Sequence, residues 1–157
     1  MTEAIAQFEQ YRISKFSEPY LYSVNRTTFE QNTAKVIFDN YFRKNFSDDD
    51  YLYIILGSDS GLLIDYLIDN KLTKGSRYLF IESAHVIENL SSQLSFTNWD
   101  DRVALCTYED WEDQAEEFKL QAYMYTNRVR YIKSIAATDE YSDYHHQKNI
   151  ALSLQLE

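Results

Sequence analysis

The stretch YLYIILGSDSGLLIDYLIDNKLTKGSRYLFIES, residues Tyr51 to Ser83, decides the fold. Its first six residues are β-branched, aromatic or leucine, and they are apolar at both alternating positions. A strand with that pattern hides both faces, as in a parallel sheet covered by helices. Gly57 and Gly61 bracket the turn that follows, and Leu63, Ile64, Leu67 and Ile68 then recur at helical spacing. Gly75 closes this helix, and Arg77 to Ser83 repeats the doubly apolar strand. Strand, glycine turn, helix and second strand in about 30 residues make a βαβ unit.

The pattern continues on both sides. Upstream, Ile5, Phe8, Ile13 and Phe16 are loosely helical in a segment ending near Pro19. Thr27 and Glu30 then have capping-box spacing, and Phe29, Thr33, Val36, Ile37 and Tyr41 form the expected core stripe of a helix. Downstream, AHVIENLSSQL reads as a helix and Arg102–Tyr108 as a third strand. Trp111, Ala115, Phe118, Ala122 and Tyr125 predict one amphipathic helix, with Glu109, Asp110, Glu112 and Asp113 favouring the positive end of its dipole. Arg128–Ile135 is a fourth strand. The tail reads either as a helix or as an alternating segment through Ile150, Leu152, Leu154 and Leu156. The expected fold is α/β: a Rossmann-like three-layer domain with a mainly parallel sheet of about four strands and an N-terminal helical segment. Residues 1–46 form the helical part, 51–135 the α/β core and 136–157 the tail.

Composition narrows the classes of function. A chain of 157 residues, 45% apolar and 16% aromatic with three glycines and one proline, is a folded domain rather than a disordered one. A net charge of −10 opposes binding to phosphate backbones and anionic lipid, so neither nucleic acid nor membrane is expected as a partner. Arg128, Arg130 and Lys133 make a local basic cluster that reads as solvation of a strand edge. The single cysteine, Cys106, excludes a disulfide framework and a thiolate zinc site, and its apolar context RVALCTY reads as a buried hydrophobe. No apolar run approaches the roughly 20 residues of a membrane span and no signal peptide is legible, so a cytoplasmic location is expected. The closing Leu156-Glu157 resembles a vector-derived junction, which would make the chain a piece of a longer protein.

The chemistry rests on the glycine turn. A turn between a parallel strand and its helix presents unpaired amides at the positive helix end, and glycines let a ligand approach. Gly57, Ser58, Asp59, Ser60 and Gly61, with Glu82 ending the second strand as a ribose acceptor, are the candidate cofactor-binding residues. Asp59 would repel a pyrophosphate and be less hostile to the cationic methionine moiety of S-adenosylmethionine. A nucleotide or adenosylmethionine-like ligand is one reading; helix capping by Ser58 and Ser60 is the other. No catalytic residue and no metal site is expected: His85 reads as a helix-start residue, and adjacent His145 and His146 rarely address one ion. The 14 tyrosines could fill the core, stack on sugars or dock a partner.

FEQNTAKVIFDNYF, together with the Tyr51–Ser83 stretch and the segment Arg102–Ser134, resembles the amino-terminal region of bacterial motility-associated factor (Maf) proteins over about 100 residues. The shared pattern is an asparagine-bearing helix, an apolar strand ending in a glycine turn and a second strand ending in glutamate. Proteins of that family are flagellin glycosyltransferases that transfer nonulosonic acids such as pseudaminic or legionaminic acid. The resemblance implies a non-catalytic accessory domain, with the transferase chemistry in a following domain and with the rest of the chain and flagellin as partners. The turn GSDSG is poorer in glycine than the family's. A degenerate methyltransferase-like domain binding adenosylmethionine is the alternative, and a free-standing interaction protein is the third.

Overall fold

A computed structural model of the protein describes residues 12–70, 72–90, 99–107 and 109–138. Strands β1 (Arg12–Ile13) and β2 (Pro19–Tyr20) form a short antiparallel ladder, followed by helices α1 (Tyr22–Asn25) and α2 (Ala34–Tyr41). Then β3 (Leu52–Leu56), α3 (Leu62–Asn70), β4 (Arg77–Ile81), α4 (Ala84–Leu90) and β5 (Val103–Cys106) alternate. Helices α5 (Trp111–Glu117) and α6 (Leu120–Tyr125), strand β6 (Val129–Lys133) and helix α7 (Ile135–Thr138) complete the described chain. The main sheet has four strands in the order β5-β4-β3-β6, and every neighbouring pair is parallel. The architecture is α/β, as the sequence predicts.

The doubly apolar strands explain how the sheet is held. All five residues of β3 are buried, and successive side chains go to opposite faces. Leu52, Ile54 and Leu56 pack with Leu79, Ile81, Leu21, Val24, Val86, Trp111, Ala115 and Ala136. Tyr53 and Ile55 pack with Tyr78, Phe80, Ile132, Phe38, Leu63, Ile64 and Leu67. Each fully buried side chain of this size stabilises the fold by about 1.5–3 kcal/mol relative to exposure. Tyr53 and Tyr78 stack across β3 and β4 with ring centroids 5.2 Å apart. Their hydroxyls are satisfied at the amino ends of the strands: Tyr53 donates to the Asp48 carbonyl at 3.1 Å, and Tyr78 accepts from the Thr73 amide at 2.7 Å. Burial pushes the Tyr53 phenol up to about 12. These two tyrosines are core residues.

Three details differ from the sequence reading. Helix α2 begins seven residues after Thr27, at Ala34, because residues 26–33 turn to carry Phe29 into the core between Tyr20 and Phe38. Its cap is Thr33, whose side chain accepts from the Val36 amide, and the Glu18 carboxylate accepts from the Ala34 amide at 2.8 Å. The buried face is therefore Ala34, Phe38 and Phe42, while Val36 and Tyr41 of the expected stripe are exposed. The helix expected from Trp111 to Tyr125 is broken: Lys119 is left-handed (φ 63°), so Trp111, Ala115 and Phe118 are buried but Ala122 and Tyr125 turn outward. The helical reading of the opening segment gives way at Arg12–Ile13, which pairs with Pro19–Tyr20 as a strand. Expectations for residues 2–11, for residues 91–94 of AHVIENLSSQL and for the tail beyond Thr138 lie outside the described residues. Among the described residues no helix is long and apolar enough to cross a membrane.

Candidate functional site

The chain runs from β3 to β4 to β5 on one side and returns to pair β6 with the other side of β3. In an open parallel sheet, ligands enter the crevice at the carboxyl ends of the strands where the order reverses. Here β3 and β6 flank that point. β3 feeds directly into Gly57–Gly61, and β6 feeds into Ser134 and helix α7. Glu82 follows β4 one strand away.

The turn is wound left-handed through most of its length, with φ of 93° at Gly57, 49° at Asp59, 61° at Ser60 and 84° at Gly61. Glycine accepts that conformation freely, whereas an L-residue pays roughly 1–2 kcal/mol, less for aspartate. The winding directs its polar groups inward. The Gly57 amide donates to the Ile81 carbonyl at 2.9 Å. The Ser58 amide and hydroxyl both donate to Glu82 Oε2, at 2.9 and 2.7 Å. The amides of Gly61 and Leu63 reach the Ser58 carbonyl, and that of Leu62 reaches the Asp59 carbonyl, at 3.0–3.1 Å. These amides at the start of α3 are the groups with which such a turn would grip a phosphate. The turn's own carbonyls already hold them.

Asp59 closes the crevice itself. Its carboxylate accepts from the Ile135 amide at 3.0 Å (Oδ2), from the Ala136 amide at 2.8 Å (Oδ1) and from Asn25 Nδ2 at 3.0 Å (Oδ1). Asn25 in turn accepts from the Ser60 hydroxyl at 2.6 Å, and the Ser60 oxygen accepts from the Leu21 amide at 3.0 Å. One aspartate thus joins α1, the β3 turn and the segment after β6 across the switch point. Ser58, Asp59 and Glu82 are fully buried, and Ser60 nearly so. Burial, reinforced by the nearby Glu82 charge, pushes the Asp59 carboxyl up to about 6 in spite of its three donors.

The structure brings Gly57, Ser58, Asp59, Ser60, Gly61 and Glu82 together, as their spacing predicts, and links them mainly to one another and to the protein interior. Sequence reasoning missed Asn25, Leu21, Ile135 and Ala136, whose contacts span 34 to 77 residues. Cys106 is buried against the Phe80 carbonyl, and burial pushes its thiol up to about 12. The acids opening α5 are exposed, and Asp110 accepts from the Thr107 hydroxyl. Among the described residues no group of three or more His, Cys, Asp or Glu side chains could hold a metal ion. The side chain of His85, and both His145 and His146, lie outside the described residues. Comparison with protein-family models, with curated proteins and with solved structures found no match to this chain.

Proposed function

We propose that this chain is a non-catalytic accessory domain, Rossmann-like in fold, of a Maf-type glycosyltransferase that modifies flagellin with nonulosonic acid. The observation that carries the non-catalytic part is the Asp59 plug: a carboxylate of the chain itself sits at the switch point of the sheet, bonded to the amides that follow β6. A turn closed in this way acts as a rigid corner between α1, α3 and α7, suited to presenting an outer surface to neighbouring domains. The assignment to the flagellin-modifying family is supported by the pattern resemblance of the strand-turn-helix-strand stretch and of the helix preceding it.

Capture of the native protein from its source cells with an antibody to this domain, followed by intact mass measurement, tests the reading. A mass well above 18.7 kDa, with glycosyl transfer to flagellin residing in the remainder of the chain, is the expected result. A native product of 18.7 kDa overturns it. The competing reading is a degenerate adenosylmethionine-binding domain, favoured by the place of Glu82 at the end of the strand beside the turn. It places the ribose at the Glu82 carboxylate, and it predicts saturable adenosylmethionine binding that disappears in Gly57→Val and Glu82→Ala.

A further inference from the structure

At the opposite, amino end of the sheet, we propose a binding site for a small phosphorylated ligand, its phosphate held by Arg77, Lys119 and Arg128. The three cations arrive from separate elements. Arg77 opens β4, Lys119 joins α5 to α6, and Arg128 immediately precedes β6. Together with Asp50, Ala122, Tyr123 and Thr126 they line one groove of about 460 Å³. That is within the range of small-molecule sites.

Three other cations of the chain are neutralised locally. Arg130 pairs with Asp48 at 2.6 Å, Arg102 with Asp100 at 3.0 Å and Lys35 with Asp39 at 2.8 Å. Arg77, Lys119 and Arg128 form no ion pair among the described residues. The Arg77 guanidinium stands 5.7 Å from the Phe118 ring centroid and that of Arg128 5.9 Å from the Tyr51 ring. Such stacking orients a planar fork while leaving its N–H groups to bond a ligand. Gathering three like charges is unfavourable unless an anion joins them. Three cations against the single carboxylate of Asp50 leave a local charge of two, which matches a phosphate monoester better than a carboxylate. The Tyr123 hydroxyl donates to the Gly75 carbonyl at 2.8 Å, so its half-buried ring forms a fixed wall. Ala122 beside it keeps the groove open. Arg77 and Lys119 also border an adjoining cleft of about 230 Å³ lined by Phe118, Arg102 and the carboxylates of Asp101 and Glu117, which offers room for a polar organic part of the ligand that carries no further negative charge.

This site is independent of the glycine turn and of the accessory role proposed above. The test is titration of the 157-residue chain with inorganic phosphate at constant ionic strength, followed by backbone amide shifts. The site predicts saturable shifts confined to Arg77, Lys119, Arg128 and their neighbours. Lys119→Gln and Arg128→Gln, both at exposed positions, each weaken binding by about fivefold or more. These two variants are preferred to Arg77→Gln, which also removes packing against Phe118. Shifts that do not saturate, binding unchanged in both variants, or acetate binding as tightly as phosphate overturn the proposal.

Discussion

Replacement of Asp59 by alanine isolates the plug at the switch point. The variant leaves the Ile135 and Ala136 amides and Asn25 Nδ2 without their buried acceptor. At about 1–3 kcal/mol per orphaned donor, a loss of about 3 kcal/mol or more is expected near pH 7.5. The pH dependence is the sharper signal. The folded-state carboxyl titrates at about 6, above its ordinary value of 3.8, so the folded protein holds this proton more tightly than the unfolded chain does. The stabilisation it gives is therefore complete below 3.8 and is lost as pH rises through 6. The tighter hold on the proton is worth about 3 kcal/mol in full, of which roughly half falls between about pH 5 and 7.5. Urea unfolding of both proteins at these two pH values, monitored by circular dichroism, yields the difference directly. Asp59→Ala should be more damaging at about pH 5 than at about pH 7.5 by about 1 kcal/mol or more. A difference that is flat, or that grows toward high pH, refutes the claim that burial outweighs the three donors.

Gly75 is left-handed (φ 73°), and a Cβ there would lie 1.9 Å from Asp50 Oδ1 and 3.0 Å from its Cγ. Gly75→Ala should lower stability by about 2 kcal/mol in urea titration, and an unchanged midpoint contradicts that geometry. Lys119 adopts a similar conformation without being glycine, so Lys119→Gly should raise stability by about 1 kcal/mol in thermal melts while weakening phosphate binding. The Cys106 thiol, buried and pushed up to about 12, should react with a disulfide reagent at about pH 8 only as fast as the protein opens; rapid labelling of the native state contradicts its placement.

Much of the sheet was legible because its strands carry a local signal. Tyr51–Leu56 and Tyr78–Ile81 are apolar at both parities, which only burial on both faces explains, and the glycine turn and helix between them fix the parallel connection. The helix boundaries were less legible because the deciding contacts are distant. Glu18 at the α2 amino end and the burial of Phe29 override the local capping signal at Thr27. Lys119 breaks α5 from α6 without the glycine or asparagine that usually marks such a bend. At the turn, the sequence spacing marked residues that the fold brings together. It carried no trace of the partners of Asp59, because Asn25 and Ala136 lie 34 and 77 residues away and only the β3–β6 pairing brings the second beside it.

The most direct test of the closed turn is a titration with S-adenosylmethionine followed through the Gly57 and Gly61 amides, since this ligand lacks a phosphate that could engage the cationic groove. A turn plugged by Asp59 gives no saturable shift at either glycine up to millimolar ligand. Saturable shifts there, abolished by Glu82→Ala in a folded variant, would show that the turn opens to a ligand and that Asp59 does not close it.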